Sequence, residues 1–261
     1  MHKIKINDNL VRTDLILEKN PHIKNFHSTK YNGINISKNK DNNYKYTTIF
    51  FDDITDSLES KHLEEVLIAE LKDYINPKPN DIFLVIGLGN QKSTPDSLGP
   101  LTIDNIIPTR YLFSFGEVDK SYSNVSIYKP DVIGNTGIES ISIIKSIIKE
   151  IKATKVIVID ALKANNIDRL IKTIQITNSG IHPGSGINNN RGEISEKTTK
   201  ADVIAIGIPT VVDINSLLDK DNLSYIVTPT NIDFVIERLA YILGDSLNII
   251  LHNHHNRQIT I

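Results

Sequence analysis

The chain has 261 residues, a formal net charge of −2 at pH 7 and no cysteine. This length allows a sizeable core in one large domain or two small ones. The near balance of charge argues against a dedicated nucleic-acid binder, and the lack of cysteine excludes disulfides, a cysteine nucleophile and a thiolate zinc site.

The predicted elements begin after a polar N-terminal stretch, residues 1–45, whose Lys and Asn runs predict loose structure. Residues 44–51 predict a strand, and residues 62–75 have the apolar spacing of an amphipathic helix. From residue 81 onward, strand-like and helix-like segments alternate, which predicts an α/β fold with a mostly parallel sheet flanked by helices. These segments are 82–86, 98–107, 125–128, 138–151, 155–159, 170–177, 203–207, 211–218 and a last helix at 231–251.

No secretory signal and no apolar run of membrane-spanning length is visible, so we expect no membrane contact.

Two of the predicted strands lead into an aspartate. The apolar run 82–86 is followed by a Gly-x-Gly turn and a polar loop, in which Pro95 is expected to hold Thr94 extended and Asp96 precedes a helix-like segment. The run 155–159 ends directly in Asp160. Because open α/β sheets place their sites at the carboxyl ends of strands, the pattern predicts a paired-carboxylate site. From the residues alone, a helix N-cap is an equal interpretation of Asp96.

These residues belong to longer motifs that carry a family resemblance. The motifs are Gly87-Leu88-Gly89-Asn90, Thr94-Pro95-Asp96-x-Leu98-Gly99-Pro100, Ile159-Asp160-Ala161-Leu162, Thr173-Ile174-Gln175-Ile176 and Gly180-Ile181-His182-Pro183-Gly184. In this order they resemble the germination proteases of spore-forming bacteria, a family of atypical aspartic endopeptidases. The resemblance covers nearly the whole chain, and the expected fold is similar to that of hydrogenase-maturation endopeptidases.

The resemblance implies an endopeptidase that degrades small acid-soluble spore proteins during spore germination. It implies a location in the cytoplasm of the spore core, a homo-oligomer that is a tetramer, and a zymogen that trims its own N-terminus. Residues 1–14 are then the propeptide and residues 15–261 a single α/β peptidase domain, with cleavage between Asp14 and Leu15. The partner is a protein substrate, with no direct contact to nucleic acid.

Asp96 and Asp160 match the two aspartates implicated in this family. Two neighbouring carboxylates repel each other, so one holds a proton and serves as acid while the other serves as base toward water. His182, in a Gly/Pro-rich loop, is an auxiliary candidate that polarises the substrate or binds a metal; the alternative is a loop histidine bonded to backbone. With no cysteine and one credible histidine ligand, we expect no metal or cofactor.

Three departures from the family pattern keep other functions open. Asn178 stands where the family usually has Asp, and Asp131 where it usually has Gly. For Asp213, which is not a departure, we expect a structural role, with support of a neighbouring catalytic residue as the alternative. The usual long insertion before the Val-Thr-Pro segment is reduced to residues 215–225. A non-cleaving homologue is therefore one alternative, and a metal-templated endopeptidase of the hydrogenase-maturation kind is the other.

Overall fold

The structure, a computed structural model, describes residues 27–41, 43–116, 118–164, 166–183, 192–214 and 225–252. Its strands are β1 His27–Tyr31, β2 Ile34–Asp41, β3 Tyr44–Phe50, β4 Ile82–Gly87, β5 Asn124–Tyr128, β6 Lys155–Ala164, β7 Thr173–Thr177, β8 Asp202–Asp213 and β9 Ile226–Val227. Its α-helices are α1 Ser57–Ile75, α2 Leu98–Asp104, α3 Ile133–Thr136, α4 Ser140–Ile151, α5 Glu196–Thr199 and α6 Ile232–His252. Short 3₁₀ turns occupy Thr94–Asp96, Leu112–Ser114 and Ile167–Arg169.

The strands form one sheet in the order β1-β2-β3-β7-β8-β6-β4-β5, with β9 paired to β8. Strands β8, β6, β4 and β5 pair in parallel, and β1, β2, β3 and β7 pair antiparallel and continue antiparallel onto β8. The predicted α/β class, with helices flanking a central sheet, is confirmed. The sheet is mixed rather than mostly parallel, because tight turns join β1 to β2 and β2 to β3 and such turns can connect only antiparallel neighbours.

The prediction of loose structure for residues 1–45 is wrong for residues 27–41, which form the hairpin β1–β2. Its turn, Asn32-Gly33, has φ of 46° and 94°, the left-handed conformation that two-residue hairpin turns require. Ile34 and Ile36 alternate with polar residues and bury their side chains against the core, whereas β1 is exposed at all five positions. An edge hairpin has few buried positions, so its sequence remains mostly polar.

Two apolar layers cover the two faces of the sheet. On the first face, α1, α2 and α6 pack through residues such as Leu67, Ile103 and Leu239. On the second face, α4 packs through Ile144 and Ile148 onto β4 and β6. Each fully buried Leu or Ile stabilises the fold by about 1.5–3 kcal/mol relative to an exposed one, so these layers fix where the strand ends lie.

Several predicted boundaries differ from the structure. Helix α1 begins at Ser57 rather than residue 62, because the side chain of Asp56 caps it by accepting from the Glu59 backbone N–H. Strands β6 and β8 continue past residues 159 and 207, paired as far as Ala164 and Val212 with an irregularity after Leu162. Residues 211–218, predicted as a segment separate from 203–207, instead continue strand β8 as far as Asp213, and residues 215–218 lie outside the described ranges. Helix α6 matches its prediction to within one residue at each end.

Candidate active site

The turn that follows β4 is built on close contact between backbones. A Cβ on Gly87 would lie 2.2 Å from the carbonyl oxygen of Gly99, so α2 begins directly against the end of β4. The loop then folds back on itself, because the Asn90 N–H donates to the carbonyl of Asp96 at 3.0 Å. Gly89 has φ +116°, and a Cβ there would lie 2.0 Å from the Asp96 carbonyl oxygen and 3.1 Å from Asp96 Oδ1. The Asp96 carboxylate therefore lies against the backbone of Gly89.

Asp96 is the last residue of the 3₁₀ turn and is half-buried. The residue with extended backbone is Ser93, at φ −114° and ψ 103°. Thr94 already belongs to the turn, so the expectation of an extended Thr94 is wrong. The residue at the N-cap of α2 is Ser97. The N-cap interpretation of Asp96 therefore loses its geometric basis.

Asp160 lies at the same edge of the sheet, on the neighbouring parallel strand. Gly87 at the end of β4 pairs with Ile159 of β6, and the Leu88 N–H donates to the Ile159 carbonyl at 2.8 Å. Asp160 comes one residue later and is 7% exposed, and its Oδ1 accepts from the Ala161 N–H at 3.0 Å. Leu88 thus runs beside Asp160, and Gly89 lies under Asp96. The structure therefore brings Asp96 to the carboxyl end of β4 and Asp160 to the adjacent position of β6. The prediction that the strand ends in Asp160 is wrong, because β6 continues in register with β8 as far as Ala164.

The side chains of β6 alternate between the two faces of the sheet. Ile159 belongs to the first apolar layer, and Val158 and Leu162 belong to the second. Asp160 is two residues from each of Val158 and Leu162, so its side chain points to the same face as theirs, the second face. Desolvation and neighbouring charges change the proton affinity of a titratable group most strongly where the group is buried. The buried position of Asp160 is therefore suited to a carboxylate with a chemical role.

His182 belongs to a loop on the same face. Ile181 and Ile194 exchange two backbone hydrogen bonds of 2.9 Å and join the second apolar layer, together with Leu162. His182 Nε2 lies 4.0 Å from Glu193 Oε2. The structure therefore places His182 on the face that carries Asp160.

The two substituted positions have structural partners. Asn178 Oδ1 accepts from the Lys45 N–H at 2.7 Å, a role that an aspartate can fill equally. Asp131 has φ 59°, in the left-handed region that favours glycine, and its Oδ1 accepts from the Val132 N–H and from Asn135 Nδ2. Asp213 forms an ion pair with Lys163 at 3.0 Å between Nζ and Oδ2, which agrees with its structural interpretation.

Other residues lie away from this site or outside the described ranges. His252 is fully buried, and its Nε2 is 2.9 Å from the Ile107 carbonyl oxygen. It lies at the opposite edge of the sheet, where the neighbouring Leu251 carbonyl accepts from the Ser123 N–H just before β5 begins. Asp14, Leu15 and residues 184–191 lie outside the described part of the chain.

No group of three or more His, Asp or Glu side chains within the described ranges could hold a metal ion. In the same ranges, no helix combines the length and apolar character needed to cross a bilayer. The expectation of a metal-free site remains a prediction for experiment.

The sequence interpretation missed a row of polar side chains beside Asp160. Thr48 pairs with Gln175, Gln175 pairs with Gly207, and Gly207 pairs with Asp160. Their signal in the sequence was polar residues at alternate positions of otherwise apolar strands. That they share a face with Asp160 depends on the register of three pairings, which no local pattern contains.

Comparisons with known proteins identify relatives. A family model described as "Germination protease" matches residues 17–227. The germination protease of Priestia megaterium is 44% identical over 190 residues, which are 71% of this chain and 49% of that protein. The germination protease of Bacillus velezensis is 36% identical over 256 residues, which are 87% of this chain and 69% of that protein. The chain spans about half the length of most of the relatives it matches.

Among solved structures, the [NiFe] hydrogenase maturation protease HycI from Thermococcus kodakarensis aligns with a TM-score of 0.40 and 16% sequence identity. The alignment covers 69% of this chain and 99% of that one.

Proposed function

Because the chain belongs to the germination protease family, we propose that it is an endopeptidase that degrades small acid-soluble spore proteins during germination. The proposal includes the finer features that the sequence motifs imply. These are synthesis as a zymogen that removes residues 1–14, a location in the spore core, and a homotetramer.

We assign the hydrolytic step to Asp96 and Asp160. Attack of water on a peptide carbonyl needs a base that takes the proton of the water and an acid that protonates the departing amine. Two carboxylates that share one proton supply both groups, and they titrate as a pair rather than singly. The reaction consumes one water and breaks the C–N bond to give a carboxyl and an amino terminus.

The observation that carries this assignment is the convergence of two separate chain segments at one edge of the sheet. The bond from the Leu88 N–H to the Ile159 carbonyl fixes the segment after β4 beside Asp160, and the bond from the Asn90 N–H to the Asp96 carbonyl folds Asp96 back over that segment. Open α/β sheets place their sites at this edge. His182, on the same face as Asp160, is proposed as an auxiliary group that polarises the substrate.

The test is cleavage of a purified small acid-soluble spore protein by the purified chain, which is first incubated under mildly acidic conditions to allow release of residues 1–14. Mass spectrometry then identifies the fragments. We expect internal cleavage at a few defined bonds, unchanged after treatment with EDTA. Cleavage that EDTA abolishes and nickel or zinc restores would establish the metal-templated alternative. An intact substrate after long incubation would establish the non-cleaving alternative.

A further inference from the structure

Helix α6 carries a stripe of exposed residues on the side that faces away from the core. Its opposite side contributes Val235, Ile236 and Leu239 to the first apolar layer. On the exposed side, Phe234 is 54% exposed and Tyr241 is 53% exposed. Residues seven apart are separated by nearly two helical turns, so the two rings leave the helix on the same side. Aligned exposed rings of this kind mark a contact surface.

Two side chains of opposite charge flank the line between these rings. Glu237 and Arg238 are both exposed. Glu237 lies about 50° to one side of the line from Phe234 to Tyr241, and Arg238 lies about 50° to the other side. Arg238 is also oriented, because its Nη2 donates to Ser60 Oγ of α1 at 3.0 Å, a bond that uses one of the five N–H donors of the guanidinium. The stripe is therefore apolar along its centre, negative on one flank and positive on the other.

This pattern is self-complementary in one orientation of two helices. When two copies of a helix pack face to face in antiparallel order around a twofold axis, each flank meets the same flank of the other copy, so Glu237 meets Glu237. In parallel order each flank meets the opposite flank, so Glu237 of each copy lies beside Arg238 of the other, and the pair forms twice. Phe234 and Tyr241 then each pack against their own counterpart. The charges thus favour the parallel order.

We propose that this stripe, residues 234–241 of α6, is an interface that packs parallel against the same stripe of a second copy of the chain. The proposal is independent of the proposed proteolytic function, because it uses no residue of the candidate active site. Aromatic residues and arginine are enriched at protein interfaces, and a guanidinium paired with a carboxylate adds directional hydrogen bonds. A partner that carries a single sign of charge would be repelled by one flank, so the stripe fits a second copy better.

The length of the stripe sets the strength that we expect of the contact. The stripe spans about 12 Å of helix, and a contact of this length is at the small end of specific interfaces. We therefore expect reversible association with a dissociation constant in the micromolar range. At nanomolar concentrations the stripe is exposed, as in the single chain. In the proposed homotetramer, the same contact supplies one of the twofold interfaces.

The test reverses one charge at a time in the full chain, as Glu237→Arg and Arg238→Glu. Each variant brings like charges together on both flanks and should raise the dissociation constant at least about tenfold. Light scattering should then give half the wild-type mass at the same micromolar concentration, and circular dichroism checks that each variant is folded. An equimolar mixture of the two variants should regain the wild-type mass, because each arginine then meets a glutamate. The matched control is Glu150→Arg, at an exposed position of α4, which should keep the wild-type mass.

Because the chain has no cysteine, single cysteines report the orientation of the two helices. Phe234→Cys and Tyr241→Cys should each form disulfide-linked dimers on mild oxidation, since in a parallel pair each residue lies next to its own counterpart, within the reach of a disulfide. In antiparallel order the two copies of residue 234 would be about 10 Å apart along the helix axis. Only a mixture of the two variants would then cross-link. Glu150→Cys is the control and should remain a single chain on a non-reducing gel.

Several results would overturn the proposal. A wild-type chain that stays monomeric at hundreds of micromolar would do so, as would charge variants that keep the wild-type mass or a mixture that does not regain it. Cross-linking only in the mixture of Phe234→Cys with Tyr241→Cys would establish antiparallel packing and contradict the charge pairs. Loss of spore-protein cleavage in Glu237→Arg at unchanged mass would assign the stripe to a different protein partner.

Discussion

The Thr210 hydroxyl of β8 donates to the carbonyl oxygen of Pro95, with Oγ1 and O 2.6 Å apart. This bond joins residues 115 positions apart in the sequence and connects the turn that carries Asp96 to a strand in the middle of the sheet. Thr210 is 1% exposed and the bond is partly buried. Because Pro95 precedes Asp96, we infer that this bond helps to hold Asp96 in position relative to β8.

Thr210→Val should therefore lower kcat by about tenfold while KM stays near the wild-type value, because the substrate still binds but Asp96 is less well positioned. Thr210→Ser keeps the hydroxyl and should retain most of kcat. Steady-state kinetics on the spore-protein substrate measures both variants. Equal kcat values for the Val and Ser variants would show that this hydrogen bond does not position Asp96.

Asp96→Asn and Asp160→Asn should each reduce cleavage by at least about a thousandfold, because asparagine can neither take nor give the catalytic proton. Both variants should unfold at temperatures close to that of the wild type. The matched control is Asp104→Asn at the end of α2, where an exposed ion pair with Lys129 is lost at little cost. Near-normal turnover by either variant of the proposed pair would remove that residue from the mechanism.

Gly89→Ala should destabilise the fold and abolish activity. The added Cβ would lie 2.0 Å from the Asp96 carbonyl oxygen, at a φ of +116° that side chains rarely adopt. The expected loss in free energy of unfolding is at least about 2 kcal/mol. In Gly134→Ala, by contrast, the Cβ meets nothing within 4 Å in the short helix α3, so that variant should be neutral or slightly more stable. Urea denaturation compares the two, and equal stability would contradict the close contact at Gly89.

The proposed self-processing predicts a product that begins at Leu15. The expected site is the bond between Asp14 and Leu15, and a tethered site has a high effective concentration. N-terminal mass analysis after incubation under mildly acidic conditions should show cleavage after Asp14 in the wild type and none in Asp160→Asn. A protein that degrades substrate while its Met1 terminus stays intact would contradict the propeptide assignment.

Burial raises the pKa of Tyr74 to about 12, from an ordinary value of 10.0. The unfolded chain therefore loses this proton at a lower pH than the folded chain, and stability that is complete below pH 10 is lost as the pH rises toward 12. The loss should be on the order of 2 kcal/mol. Tyr74→Phe should remove this part of the alkaline decline, and Tyr241→Phe, at an exposed position of α6, should not. Identical alkaline profiles for Tyr74→Phe and the wild type would contradict the assignment.

Local patterns in the sequence were enough to predict the parallel half of the fold. The runs that became β4 and β6 are continuous and apolar because both of their faces are covered, and such runs are recognisable without a partner. The final helix was equally clear from its apolar spacing. The hairpin β1–β2 was missed because an edge element buries only Ile34 and Ile36 of its residues, too few to produce a strong pattern.

By itself, the sequence determined the α/β class, the family to which the chain belongs, and Asp96 and Asp160 as candidates for chemistry. Those features depend on residue type and short spacing, which are local. Only the tertiary structure decided that β3 and β7 lie beyond β8 and align Thr48 and Gln175 with Asp160, and that Thr210 holds the turn of Asp96. Strand order and register arise from the packing of residues distant in sequence, and a shift of one residue would send each of these side chains to the other face.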